Sequence, residues 1–225
     1  MFVPVLIVGS GIAGMSVAFN LKKHNIEYLV VTKTNNYLKS NSIIAPANIR
    51  FFEDYQQGIK EYMEQCGGNL ETIESIYSNQ KFLLEMLEDL KVKLKKTPIG
   101  VMPYDDKYKI AGTLLMKEMG KTVKNILTDT FLVDIKIHDN YVECLLFEKN
   151  KGFFHINCGM LVVSTGGFAN LFKYNDNCNT ATGECTYLLQ KHTNKLKGIS
   201  TIMFHPFGVD NGKRILTRRC CFTCK

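Results

Sequence analysis

The sequence predicts an α/β fold built on a parallel sheet, on three observations: a continuous apolar run at residues 3–8, a glycine cluster directly behind it, and a second apolar run at 28–32. Val3-Pro4-Val5-Leu6-Ile7-Val8 lacks the polar alternation of a half-exposed strand, so both of its faces must be covered, as in a central parallel strand. Gly9-Ser10-Gly11-Ile12-Ala13-Gly14 follows without a spacer, and residues 15–23 have a helical composition with Val17, Phe19 and Leu21 available to pack on the sheet. Tyr28 to Thr32 then completes a strand–helix–strand unit of ordinary length.

From Lys33 to Ala47 the chain is polar, aperiodic and rich in Asn and Ser, which predicts a long loop over the strand ends. A helix is expected over 53–66. Another should run from Asn69, an N-cap with Glu71 in the first turn, to about Leu90, with Ile73, Ile76, Tyr77, Leu83, Leu84 and Leu87 as its apolar stripe. Pro98, Pro103 and the acidic pair Asp105-Asp106 predict irregular structure over 97–106, and a short helix follows at 111–119, entered through Gly112-Thr113. Strands at 131–137, 141–148 and 153–157, joined by Asp139-Asn140 and Asn150-Lys151-Gly152, read as a β-meander. A buried strand at 160–164 ends in Thr165-Gly166-Gly167, and a helix at 184–195 precedes the apolar run 199–204.

With 225 residues, 45% of them hydrophobic and 22% charged, the chain can bury one large core or two small ones and has no signature of disorder. No apolar run approaches the roughly eighteen residues of a membrane span, and no charged segment precedes the short apolar stretch at the start, so neither membrane insertion nor secretion is expected. The eight cysteines are scattered, which reads as reduced thiols in a cytoplasmic protein. Cys221-x-x-Cys224 lacks a second paired knuckle, and no metal site is expected. A net charge of +7 suits an anionic ligand such as a pyrophosphate or a dicarboxylate. No basic block is interleaved with aromatics as in a nucleic-acid platform; Lys91, Lys93, Lys95 and Lys96 read as a solvated face.

The glycine cluster carries the chemistry. Gly9 permits a tight turn, Gly11 lets the backbone approach a pyrophosphate, and Gly14 lets the helix pack against the strand, while the helix amino terminus offers N–H groups and positive potential. The acidic residue that usually follows about twenty positions on is replaced by Thr32-Lys33. A cation there would also suit a 2′-phosphate, so the fingerprint alone leaves FAD and NADP open.

Further motifs carry a family resemblance. Val31-Thr32-Lys33 and the loop Ser40-Asn41-Ser42-Ile43-Ile44-Ala45-Pro46-Ala47-Asn48-Ile49 resemble the second strand and flavin-covering loop of the L-aspartate oxidase and succinate dehydrogenase/fumarate reductase flavoproteins. That family's loop carries Gln-Gly-Gly where this chain has Pro46-Ala47-Asn48. Leu161 to Gly167 is similar to the family's second FAD motif, Thr182-Gly183-Glu184-Cys185 to its Thr-Gly-Asp-Gly segment, and Phe204-His205-Pro206 and Leu216-Thr217 to its substrate-binding segments, with Arg218 where an acid is usual.

The resemblance implies a Rossmann-like FAD-binding domain over 1–199, with a parallel sheet and a β-meander inserted at about 131–157. Residues 200–225 would open a substrate-capping region that is truncated before the cap domain is complete, and before the family's acid/base arginine. It implies FAD as cofactor, held by Gly9, Ser10, Gly11, Ile12, Ala13 and Gly14, by Thr32 and Lys33, by the loop from Ser40 to Asn48, and by Val133, Thr165, Gly166, Gly167 and Glu184. His205 and Thr217 would bind the substrate carboxylates, with Thr113 as a further candidate. The implied activity of the complete enzyme is oxidation of L-aspartate to iminoaspartate, the first step of de novo NAD biosynthesis, with oxygen or fumarate as acceptor. No histidine occurs in the covering loop to attach a flavin covalently, which favours this reading over a respiratory subunit. A fumarate reductase-type flavoprotein and a non-catalytic dinucleotide-binding fragment are the alternatives.

Overall fold

In the computed structural model, which describes residues 1–51, 53–66, 68–98, 100–193, 195–200 and 202, the chain begins with β1 (Phe2–Val8), α1 (Ile12–Lys23), β2 (Tyr28–Val31), α2 (Asn41–Ile44) and β3 (Ile49–Arg50). It continues with α3 (Tyr55–Cys66), α4 (Leu70–Ser78), α5 (Gln80–Asp89), β4 (Leu94–Thr97), β5 (Gly100–Pro103) and α6 (Ala111–Thr122). Then come β6 (Ile126–Leu127), β7 (Thr130–Ile137), β8 (Val142–Glu148), β9 (Gly152–Val163) and α7 (Glu184–Gln190). Two units divide the chain: residues 1–41 with the chain from Asn125 onward, and residues 42–124.

The described residues of the first unit build a six-stranded sheet in the order β6-β2-β1-β9-β8-β7. β1 is apolar throughout because parallel strands flank it on both sides, β2 in the register Val5 beside Tyr28 and β9 in the register Val5 beside Met160. Leu6 and Ile7, which point to opposite faces, are both fully buried. α1 starts at Ile12 rather than Met15, so half of the glycine cluster forms its first turn, and it buries Gly14, Met15, Ala18 and Phe19 on one stripe. It ends in a Schellman turn: Ile26 N–H donates to Leu21 O (2.9 Å) and Asn25 N–H to Lys22 O (3.1 Å), with Asn25 at φ +56°.

The two strands expected at 153–157 and 160–164 are one. The first half of β9 pairs antiparallel with β8, and its second half pairs parallel with β1, from Phe2 beside Asn157 to Val8 beside Val163. Each half has its partner on a different side, so straight continuation satisfies both ladders and no turn is needed at Gly159. β6 joins β7 through Thr128-Asp129, and Thr130 N–H donates to Thr32 O (2.9 Å). Leu132, Ile135, Cys144, Leu146, Ile156 and Cys158 of the meander share one core with Leu6, Val8 and Val31, so the meander folds back over one face of the parallel strands. α7 closes that core with Cys185 and Leu188 and stops at Gln190, five residues before the expected end, because the polar residues that follow Leu189 offer no apolar stripe.

In the second unit the helix expected over 69–90 is broken into α4 and α5 at Asn79, whose side-chain amide donates to Ser75 O (2.7 Å) in competition with the helical backbone. Asn69 caps α4 as expected, accepting from Thr72 N–H (2.9 Å). Ile73, Tyr77 and Leu87 are buried, while Ile76 faces solvent. Residues 97–106 are more regular than expected. β5 pairs with β4 and β3 in an antiparallel sheet, and Pro103 is tolerated at the strand end, where no ladder N–H is required. All four lysines at 91, 93, 95 and 96 are exposed. α6 runs to Thr122, one turn past its expected end, burying Leu114, Leu115, Met116 and Met119.

α5 also ends in a Schellman turn, with Val92 N–H donating to Leu87 O (3.1 Å) and Lys91 N–H to Glu88 O (2.8 Å). Lys91 sits there at φ +54°, a left-handed conformation that costs a side-chain-bearing residue about 1 kcal/mol. Lys91→Gly is therefore expected to raise the urea midpoint by the equivalent of about 1 kcal/mol, and Lys91→Ala, which keeps the strain, to give no such gain.

Candidate cofactor site

The glycine turn after β1 and the end of β9 are in backbone contact. Ser164 donates twice to Val8 O, from its N–H (2.8 Å) and from its hydroxyl (2.9 Å). Gly9, at φ +110°, lies against the same residue: a Cβ on it would stand 2.4 Å from Ser164 O. A Cβ on Gly14 would stand 2.0 Å from Gly9 O and 2.5 Å from Ser164 Oγ. The packing role expected of Gly14 is thus present, and Ser164 is a joint that sequence reasoning missed. Gly11 caps α1, whose first turn holds no acidic residue, and Ile12 and Ala13 are exposed, so the positive end of the helix reaches the surface.

At the end of β2 the missing acid is replaced by hydroxyls turned inward. Ser10 and Thr32 are buried, with Ser10 Oγ 3.0 Å from Thr32 Oγ1 and 3.2 Å from Tyr37 O. Lys33 Nζ donates to Thr182 Oγ1 (2.5 Å) and pairs with Glu184, whose other oxygen accepts from the Thr182 hydroxyl. Burial works against the Glu184 charge, but the Lys33 ammonium, the Thr182 hydroxyl and a backbone amide outweigh it and hold the carboxyl below the usual range. A Lys33 engaged in this way does not offer its charge to a 2′-phosphate, which counts against the NADP alternative.

The loop after Lys33 is tied to the segment before α7. Asn41 bonds through its amide to Asn177 and accepts from Cys178 N–H (2.6 Å), and the Thr180 hydroxyl donates to Lys39 O (3.4 Å). Between these ties the Ser40 hydroxyl is buried and has no hydrogen-bond partner among the described residues. Such an orphan costs about 1–3 kcal/mol unless a ligand satisfies it. Gly166, at φ +75°, and Gly167 have open space where a Cβ would stand, so the chain's own packing does not require them bare. An unsatisfied hydroxyl and an open double-glycine turn, on the same sheet edge as an exposed helix amino end, fit a dinucleotide. Thr165 directly precedes those glycines, half-buried. Val133 is the extra residue of a bulge in β7 and is 41% exposed. Cys185, in place of a family glycine, is absorbed into the core, where burial and the Glu184 charge push its thiol pKa up.

The rest of the covering loop belongs to the second unit. The start of α6 grips it: Gly112 N–H donates to Ala45 O (3.1 Å), and the Thr113 hydroxyl donates to Ile43 O (2.8 Å), which occupies the proton that Thr113 would offer a carboxylate. A Cβ on Gly112 would stand 2.2 Å from Ser42 O. Ile44, Pro46 and Asn48 are exposed, with Asn48 Oδ1 accepting from Thr97 (2.9 Å). Ala47 sits at φ +48°, a glycine-like conformation at a position where the family loop carries glycine. His205 and Thr217 lie outside the described residues, as do Arg218 and the Cys221-x-x-Cys224 pair. Among the described residues no group of three His, Cys, Asp or Glu side chains is gathered to hold a metal, and no helix is long and apolar enough to cross a membrane.

Because the Glu184 pKa is lowered on folding from 4.5, its ion pair contributes stability above that value, and the contribution is lost as pH falls through the folded pKa. Acid titration of stability from about pH 5 downward is expected to be shallower in Glu184→Gln than in the natural chain, by no more than about 1 kcal/mol because both partners are partly exposed. Gly14→Ala should cost more, about 3 kcal/mol by urea denaturation, since its methyl group would meet backbone on one side.

Residues 3–201 match the pyridine nucleotide-disulphide oxidoreductase family. The L-aspartate oxidase of Clostridium perfringens is 28% identical over 222 residues, 90% of this chain and 50% of that protein. The L-aspartate oxidase of Halalkalibacterium halodurans is 25% identical over 90% of this chain and 43% of its own length. The chain spans about half the length of these curated relatives. Its fold is similar to part of a flavocytochrome c3 fumarate reductase in an open conformation, with a TM-score of 0.84 at 18% identity over 97% of this chain and 45% of that one. The chain thus belongs to the pyridine nucleotide-disulphide oxidoreductase family, among the FAD-dependent oxidoreductases of the L-aspartate oxidase and fumarate reductase flavoprotein superfamily, and its cofactor is FAD.

Proposed function

We propose that this chain forms the flavin-binding part of an L-aspartate oxidase, which converts L-aspartate to iminoaspartate in the cytoplasm as the first step of de novo NAD biosynthesis. The observation that carries the reading is the junction at Ser164, which sets two glycine turns side by side on one edge of the sheet. The substrate is supported by the L-aspartate oxidases that match about 90% of the chain.

When bound, FAD supplies a two-electron acceptor for the hydride of the substrate α-carbon, and oxygen or fumarate then takes the electrons. Gly11, Ile12, Ala13 and Gly14 would hold the diphosphate at the positive end of α1. Gly166 and Gly167 would let the backbone come close to the cofactor, and the Ser40 hydroxyl would find in it the partner it lacks in the chain. Ser10 and Thr32, locked to each other, fix the end of β2 beside the nucleotide rather than reach toward solvent. His205 and Thr217 would take the substrate carboxylates, orienting the α-carbon for transfer.

Fumarate reductase is the second reading, favoured by the fold neighbour and by the fumarate reductases among the relatives. It uses the same dicarboxylate recognition with the electrons running the other way. Residues 33–48 contain no histidine, so the flavin is expected to be non-covalent: acid precipitation of the yellow protein should leave all of the FAD in the supernatant. Titration of the FAD-loaded chain, followed by flavin absorbance, should show a response to L-aspartate and none to L-glutamate, which is one methylene longer. A spectrum moved by NADPH and by no dicarboxylate would overturn the proposal.

A further inference from the structure

Sheet order places β2 and β9 on either side of β1, all three parallel, so the ends of these strands share one edge. Lys33 lies two residues past β2, and Thr182 and Glu184 lie in the segment that follows β9. Adjacent strands are roughly 4.8 Å apart, so a bond from one flank to the other crosses roughly 10 Å, past the end of β1 where the glycine turn lies. The Lys33–Glu184 pair joins the segment after β2 to the segment after β9, 151 residues apart in sequence. It is braced by Thr182, which bonds to both partners, and the same two segments are tied again at Lys39–Thr180 and at Asn41–Cys178. The buried, unpartnered Ser40 hydroxyl sits among these ties.

We propose that Lys33 and Glu184 are positioning residues that form an ionic latch across the glycine turn and set the rate at which the dinucleotide leaves. The proposal rests on FAD as the cofactor. The latch acts on release rather than on recognition: Lys33 spends its charge on Glu184, so the diphosphate is met by backbone amides while the crossing segments hold it in place. Lys33 is 24% exposed and Glu184 42%, so the latch lies at the rim, where it can open without unfolding the core.

The test uses the full chain loaded with FAD, diluted into a large volume of flavin-free buffer, with flavin fluorescence reporting release. Lys33→Met and Glu184→Gln are each expected to speed release by up to about fivefold, the equivalent of a partly exposed ion pair of about 1 kcal/mol. Lys33→Arg, which keeps the cation, should release at close to the natural rate. The double exchange of Lys33→Glu with Glu184→Lys should return the rate to within about threefold of the natural chain, even if one single variant folds poorly. Release unchanged in both single variants would overturn the latch and leave the cofactor assignment standing. Fast release in the double exchange would show that Lys33 acts on the cofactor directly and would equally overturn it. Failure of the natural chain to bind FAD at all would sink both the latch and the cofactor.

Discussion

The first unit depends on one steric constraint: no Cβ fits between the end of β1, the start of α1 and the end of β9. Gly9 meets Ser164 backbone to backbone, Gly14 meets Gly9 O and the Ser164 hydroxyl, and two hydrogen bonds from Ser164 to Val8 O close the contact. Glycine there loses more conformational entropy on folding than any other residue, and the parallel ladders on both sides of β1 offset that loss. Because three segments share the joint, the helix terminus cannot be moved without disturbing the sheet. In the proposed site, that rigidity would leave little ordering to be done when a diphosphate meets the amino end of α1.

Steric demands of this kind were legible in the sequence. A strand covered on both faces reads as an unbroken apolar run, and a position that excludes Cβ can only be glycine, so residues 3–14 declared both the strand and the turn. Asn69 announced its helix through a local side-chain bond to Thr72. The break at Asn79 was hidden because the apolar stripe continues across it, and a stripe does not record which backbone bond a side-chain amide takes over. The unity of β9 was hidden because Asn157-Cys158-Gly159 resembles a turn when the two partner strands, distant in sequence, are not in view.

The polar half of the site follows the same division. Its glycines were found by local rule, whereas Ser164, Thr182 and the Asn41–Asn177 tie act through partners more than a hundred residues away and leave no periodic trace. Lys33 was found but its role was ambiguous, since a cation at the end of β2 suits a 2′-phosphate until Glu184 is placed beside it. Two departures from the family pattern have different physical outcomes. Cys185 carries a side chain that the core accepts, while Ala47 keeps the glycine-like backbone and bears a strain of about 1 kcal/mol.

A net charge of +7 suggests a dinucleotide held through cations, and the proposed site does not use them. The one lysine at the end of β2 is neutralised by Glu184, and the first turn of α1 carries no charged side chain. In the proposed site, attraction for the diphosphate would come from oriented N–H dipoles within one helical turn, which salt screens less than it screens exposed ammonium groups acting over longer range. Affinity of this kind belongs to the backbone, and a side-chain truncation cannot remove it. Only an added Cβ, or a loosened joint between β1 and β9, would reach it, so in the proposed site the shape of the glycine junction and the binding of the cofactor would rest on the same atoms.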